Sequence, residues 1–309
     1  MQTESTFLED LKYQYKHGGM TVRLIFLNTA VFLIIQLLQV FSRLIGGEVD
    51  LYTASILTNV FTLSTNLDEF ILRPWGLITS IFAHFSLWHM AMNMLFLYFS
   101  GKMFESIFDQ KRLWYTYLIG GLAGGTLEIL AHLIFPALQG AAVVIVGASG
   151  SIMAIFSAMA FYRPNIMVNL FGLIPLRLIW LAGIFILTDL LSLGLNDGTA
   201  HFAHLGGVVV GLLSVQNIYS SSNLINRVQM FGDRIISFFK NIFSSQHTLK
   251  KKKGGSTRST QYRTDEEYNM DAKARQLKTD AILDKISKSG YESLTKTEKE
   301  FLFNQSKNG

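Results

Sequence analysis

The chain has 309 residues, of which 50% are hydrophobic and only 16% charged. That balance excludes an ordinary soluble globular protein and points to a membrane protein carrying a polar appendage. Cysteine is absent, which removes disulfides, thiolate metal sites and cysteine nucleophiles from consideration, and the net charge of +5 is concentrated in the lysine-rich stretch beyond residue 220.

Residues 1–21 are polar and read as a cytoplasmic N-terminal segment. The first apolar run, near 22–44, is too long for a cleaved signal peptide and is expected to stay as an anchor. Five more apolar segments follow, near 82–101, 113–134, 148–162, 178–195 and 201–219. Each approaches the ~20 residues that carry a helix across a bilayer. The expected fold is therefore an all-α, polytopic six-helix bundle over residues 22–219.

Basic residues orient it. Lys12, Lys16 and Arg23 precede the first span, Lys102, Lys111 and Arg112 follow the second, and Arg163 and Arg177 bracket the loop after the fourth. The positive-inside rule then puts both termini in the cytoplasm, so that spans two, four and six run from outside to inside. The expected location is a multi-pass position in the cell (plasma) membrane.

Residues 220–309 form a cytoplasmic tail of different character. Phe231, Ile235, Phe238, Phe239 and Ile242 recur near helical spacing with Arg227, Arg234 and Lys240 between them, the pattern of a helix lying on the inner leaflet. A basic linker spans 250–261. Beyond it two short helices are expected, with Gly290 as a stop and Thr295 with Glu298 as a capping box. A solvated docking element is the plain reading of that end.

Hydrogen-bonding side chains inside spans are costly and by default mark function. The second span holds His84, His89 and Asn93, the fourth opens at Ser149, and the sixth begins with His201 and His204. Ser149 lies 14 residues before Arg163, His89 lies 13 before Lys102, and His204 lies 13 before Asn217. At ~1.5 Å per residue all three sit ~20 Å from the inner boundary, in one layer.

A serine hydroxyl needs a base to attack a carbonyl, and histidine suits that task. His204 is the preferred base, because Gly207 and Gly211 lie on its own face and form a groove in which Ser149 can come close. His201 reads as an interfacial polar residue. No carboxylate is expected at this depth on a helix facing the site, so the reading is a serine–histidine dyad. His89 and Asn93 can donate to an oxyanion, joined by the free N–H groups of a helix that starts at Ser149. Zinc is the other use of clustered histidines, but no His-Glu-x-x-His is present. No metal, cofactor or nucleic acid is expected. A proton-relay transporter would need repeated halves and broken helix pairs, which the sequence lacks.

These residues resemble the rhomboid intramembrane serine proteases. The resemblance rests on "RPWGLITSIFAHFSLWHMAMNMLFLYFSG", "GASG" and "AHLGG" with the later Gly211, in the expected order, and covers residues 20–219. It implies Ser149 as nucleophile, His204 as general base, and His89, Asn93 and the Ser149 backbone N–H as the oxyanion hole. Gly147, Gly150, Gly207 and Gly211 support the site, and His84 resembles the family's additional histidine near the hydrated end of the second span. Arg73 and Trp75 stand near the family's tryptophan–arginine pair, in a different order and spacing. Glu105 resembles a structural glutamate.

The implied activity is cleavage of transmembrane or near-membrane segments of other proteins within the bilayer, without metal or ATP. A first outer loop (about 45–75) partly embedded in the membrane is implied too, as is a lateral gate made by the fifth helix and residues 195–200. The competing function is a rhomboid-like binder or chaperone that has lost catalysis, although serine and histidine are both retained here.

Overall fold

The structure, a computed structural model, describes residues 6–46, 48, 50–138, 144–170, 174–195, 197–243, 279, 282, 284–286, 290 and 293–306. The chain forms two compact units, Met1–Ser245 and Gln246–Gly309.

The first unit is mostly helical. Its long elements are α1 (Phe7–His17), α2 (Gly19–Gly46), α3 (Leu51–Phe61), α4 (Leu67–Leu72), α5 (Gly76–Thr79), α6 (Leu87–Glu105), α7 (Gln110–Ile134), α8 (Ser149–Tyr162), α9 (Leu178–Leu191), α10 (His201–Val215) and α11 (Leu224–Phe243). Among the described helices, α2 and α7 are long and apolar enough to cross a membrane by length and composition. The other apolar elements are shorter: α8 and α9 have 14 residues each and α10 has 15. Fourteen residues of helix reach only ~21 Å, less than the ~30 Å hydrocarbon layer.

An aqueous setting does not suit this surface. Leu33, Ile34, Leu37, Phe41, Leu44 and Ile45 of α2 stand exposed, as do Trp180, Ile184, Leu187 and Leu191 of α9. Apolar areas of that extent belong against lipid. Inside, α8 is the hub. Ten of its residues from Ser151 to Ala160 are buried in succession, and α6, α7, α9 and α10 all pack on it.

The expectation of an all-helical chain needs one correction. Two small ribbons are present: β1 (Leu63–Ser64) pairs antiparallel with β2 (Val144–Ile145), and β3 (Met167–Leu170) with β4 (Ile174–Arg177). The first has a positional role, since pairing Leu63 with Ile145 ties the loop after α3 to the segment that leads into α8. Thr62 lies so close to Gly76 that a side chain there would strike its carbonyl, which fastens α5 beneath the same ribbon.

Several ends are closed by named side chains. Glu105 at the end of α6 accepts from the backbone N–H of Met20 (2.5 Å) and Thr21 (3.2 Å), placing a carboxylate at the positive start of α2. The loop helices are fixed by Trp75 Nε1, which donates to the Asn59 carbonyl (2.9 Å), and by Arg73, which grips the Asn59 side chain and Glu69.

The helix at 224–243, assigned with the tail from sequence, is built onto the bundle. The buried Arg112 guanidinium donates to Asn226 Oδ1 (2.8 Å), Asn223 Oδ1 (3.0 Å) and the Ser214 carbonyl near the end of α10. Lys111 pairs with Asp233 (2.6 Å) at the exposed edge. Phe231, Ile235, Phe238 and Phe239 stay exposed on α11. The Ile242 side chain and the linker 250–261 lie outside the described residues.

In the second unit, α12 (Lys296–Ser306) begins at the expected capping box. Glu298 accepts from the Thr295 backbone N–H (2.7 Å) while Thr295 Oγ1 accepts from the Glu298 N–H (3.3 Å). Gly290 has φ +75, and its N–H donates to the Ile286 carbonyl (2.8 Å), as a helix stop requires.

Arg112→Ala is expected to cost about 1.5–3 kcal/mol, the scale of hydrogen bonds to a buried charge. A lower Tm in detergent, only partly restored by Arg112→Lys because an ammonium lacks the planar fork, would bear this out. A second expectation concerns pH. The Glu298 carboxyl is pulled down to about 2 by the Thr295 N–H, the Lys285 ammonium and the Thr295 hydroxyl. A depressed carboxylate contributes its stability above its unfolded value near 4.5 and loses it as pH falls toward 2. Amide exchange at the start of α12 should therefore quicken, relative to intrinsic rates, below about pH 4.5, and Glu298→Gln should abolish that dependence.

Candidate active site

The backbone ahead of Ser149 sets the site. Gly147 has φ +119, a conformation closed to other residues without strain, and its N–H donates to the Ser80 carbonyl (2.9 Å). A Cβ on Gly147 would lie 2.8 Å from Cε1 and 3.1 Å from Nε2 of His89, so the glycine also makes room for that ring. Ala148 then serves as a helix cap without a side-chain hydrogen bond, and Ser149 is the first residue of α8. The N–H groups of that first turn have no intrahelical acceptor and point out of the helix end.

The base side is held by close helix contact. A Cβ on Gly207 would run into the Gly150 carbonyl and come within 3.2 Å of Met153 Cβ. One on Gly211 would meet the Ala154 carbonyl at 2.5 Å and the Ala158 nitrogen at 2.8 Å. A Cβ on Gly150 would in turn lie 3.1 Å from the Ala203 carbonyl oxygen. Backbone lies against backbone along α8 and α10, as the small-residue groove anticipated. On the far side, Gly206 packs equally closely on Gly124 of α7.

Ser149, His204, His89, Asn93, Gly147 and Gly150 all line one cavity of about 1000 Å³. Asn93 is directed by a hydrogen bond from its Nδ2 to the His89 carbonyl (3.0 Å). His84 is fully buried beside His89, with ring centroids 5.2 Å apart. It does not belong to the second helix, however. Residues 83–86 lie outside any helix, Ser86 caps α6, and His84 reaches the site from this irregular segment. No hydrogen bond joins Ser149 Oγ to His204 among the described residues, a looseness common in a site without substrate.

The expectation of a site without a carboxylate is overturned. Asp189, one turn from the end of α9, places Oδ1 2.9 Å from His204 Nδ1 and 2.8 Å from His201 Nδ1. His201 Nε2 meets Asp197 Oδ2 as well (3.1 Å), so both of its nitrogens are engaged by carboxylates. Nε2 of His204 is unclaimed among the described residues. Asp189 was legible in principle: it lies 12 residues after Arg177, ~18 Å of helix, in the same layer as the serine and the histidines.

Glu128 is a second buried acid. It accepts from the Ala203 N–H (3.0 Å), giving the start of α10 an anionic cap from a neighbouring helix. Asp189, His201 and His204 could also serve as a three-atom ligand set, with donor atoms within 4.8 Å of one another, although hydrogen bonding already accounts for their arrangement.

Comparison with known proteins gives the family. The Rhomboid domain matches residues 72–220, which contain every residue of the site. The chain carries a Rhomboid domain. Among curated relatives of Arabidopsis thaliana, RHOMBOID-like protein 1 is 32% identical over 142 residues, covering 45% of this chain and 33% of that protein. RHOMBOID-like protein 12, mitochondrial, is 32% identical over 176 residues, covering 53% and 52%. RHOMBOID-like protein 6, mitochondrial, is 31% identical over 139 residues, covering 45% and 42%. The matched region thus spans between a third and about half of these relatives. The Rhomboid domain points to a membrane protein, while the mitochondrial designations of two relatives lend the expected plasma membrane no support. Residues 262–308 match a separate family of unknown function (DUF6576).

Any side chain at residue 211 must push α8 and α10 apart. Gly211→Val is expected to lower Tm, with a cost of about 1–3 kcal/mol for overpacking. Gly183→Val, at a position with open space, should leave Tm nearly unchanged.

Proposed function

We propose that this protein is an intramembrane serine endopeptidase that cleaves transmembrane or near-membrane segments of other membrane proteins. The observation that carries the reading is a shared cavity: the Ser149 hydroxyl, at a helix start with free N–H groups, and the His204 ring both open into it.

In this reading Ser149 Oγ attacks the scissile carbonyl carbon while its proton passes to His204 Nε2. The carbonyl π pair moves to oxygen, and the tetrahedral oxyanion is met by the Ser149 backbone N–H, His89 and Asn93. Collapse breaks the C–N bond, His204 returns the proton to the leaving amine, and an acyl ester remains on Ser149. Water then attacks that ester while His204 takes its proton; collapse breaks the bond from Ser149 Oγ to the acyl carbon, His204 returns the proton to Oγ, and the carboxylic acid product leaves. Preorganised donors at a helix start need no reorganisation as charge develops, which is where such a site gains its rate.

The membrane setting follows from the same geometry. We infer six spans, with α8 as a short one that leaves the Ser149 end within the bilayer, where irregular backbone is tolerated beside a hydrated cavity. Both termini are then cytoplasmic. Exposed Leu51, Tyr52, Ile71 and Leu72 support a first loop partly embedded in lipid. Phe185 of α9 packs on Phe96 of α6 (5.4 Å between centroids) and on Phe156 of α8 (5.7 Å), contacts that support α9 with residues 195–200 as a lateral gate.

A fluorophosphonate probe is expected to label the detergent-solubilised protein at Ser149. Labelling should vanish in Ser149→Ala and His204→Ala, persist in His201→Ala, and be indifferent to chelators. A folded protein that takes no label and cleaves no transmembrane substrate in liposomes would instead be a silent rhomboid-like binder. Chelator inhibition reversed by zinc would replace the serine mechanism with a metal one.

A further inference from the structure

A serine–histidine pair alone leaves open what chooses the histidine tautomer. Only one neutral form works: the proton must sit on Nδ1 so that Nε2 carries the lone pair that receives the serine proton. In the first unit Asp189 addresses that choice directly. Its Oδ1 stands 2.9 Å from His204 Nδ1, and since an ionised carboxylate only accepts, the contact is made with the proton on Nδ1. The side chain of Asp189 is 8% exposed and that of His204 18%, so water competes weakly for this contact.

Asp189 is itself held. His201 Nδ1 lies 2.8 Å from the same Oδ1, and the second nitrogen of His201 lies 3.1 Å from Asp197 Oδ2. Asp197 belongs to the segment between α9 and α10, where its Oδ1 also accepts from the Thr199 N–H (2.9 Å). The chain of contacts runs from that segment through His201 and Asp189 to His204. A carboxylate so deeply buried is costly unless its lone pairs are used, and here two imidazoles use them.

Resting on the serine-protease reading of this site, we propose that Asp189 is a positioning residue for the reaction: it holds His204 in the Nδ1–H tautomer with Nε2 aimed into the cavity, so that the machinery works as an acid–base–nucleophile triad with His201 steadying the acid. Asp189 touches no reacting atom. Its effect passes entirely through the imidazole, in the ground state by fixing tautomer and ring orientation, and after proton transfer by lying beside the imidazolium. No new bond is formed to it, and it takes no proton in the cycle.

The test uses the full chain in detergent and in liposomes, with wild-type labelling at Ser149 established first. If the wild type is neither labelled nor active, the serine-protease reading fails. With an active wild type, Asp189→Asn is expected to lower kcat by roughly 10²-fold or more, as expected when the wrong tautomer is favoured, with KM changed less than about twofold. Unchanged kcat in the folded variant would overturn the inference. A second measurement needs no variant to retain activity: ¹⁵N NMR of histidine-labelled wild type, with the His204 signal assigned by its selective loss in a folded His204→Gln. A neutral His204 protonated on Nδ1 is expected, and one protonated on Nε2 would overturn the inference by itself. A purely structural Asp189 could lower Tm in Asp189→Asn, but it would have no reason to set that tautomer in the wild type.

Discussion

The close approach of α10 to α8 is the constraint on which everything else depends. Lipid chains are as apolar as leucine, so helices in a bilayer gain little from hiding hydrophobic surface and must win by contact. At Gly207 against the Gly150 carbonyl, and at Gly211 against Ala154 and Ala158, the contact is between backbones. Nothing larger than hydrogen fits there. The same register that brings these backbones together brings His204, one turn above Gly207, to the cavity that Ser149 enters from the end of α8.

A second theme is the fate of polar groups at depth. Each buried acid has taken a neighbouring helix as its partner. Asp189 of α9 engages the two histidines of α10, while Glu128 of α7 accepts from the backbone near the start of α10. Arg112 of α7 does the reverse at the opposite end of α10, donating to the Ser214 carbonyl and to the asparagines that lead into α11. The helix carrying the proposed base is thus held by an anion where its N–H groups are free and by a cation where its carbonyls are free. Both arrangements follow the helix dipole. They show why α10 keeps its orientation although it is only 15 residues long.

The segment ahead of Ser149 has its own supports. Ribbon pairing between Leu63 and Ile145, the Gly147 N–H on the Ser80 carbonyl, and the space left by Gly147 for His89 converge within a few residues. They join the loop after α3 to the Ser149 end of α8. The loop helices, themselves fastened by Trp75 and Arg73 to Asn59, act on this segment through that ribbon. A disturbance in the first loop would therefore be felt at Ser149 before it reached the core of α8.

Much was legible from residues alone, because it depended on local or one-dimensional properties. Apolar runs placed the helices within a few residues. Gly-Ala-Ser-Gly set the start of α8, and the capping box at Thr295 and Glu298 was correct in detail, since spacing along one helix decides it. Counting residues from the inner boundary put Ser149, His89 and His204 in one layer. The same count applied to Asp189 would have included it, but depth does not say which way a side chain turns about its helix. That angle came from the packing of α9 on α10, and it converted an expected pair into a cluster of two histidines and a carboxylate. The irregular backbone at His84, the β1–β2 ribbon and the docking of α11 through Arg112 were likewise decided in three dimensions. For the ribbon and for α11 the partner lies far away in sequence, 111 residues from Arg112 to Asn223. Periodicity reports which face of an element is apolar, whereas only the folded chain determines which element that face meets.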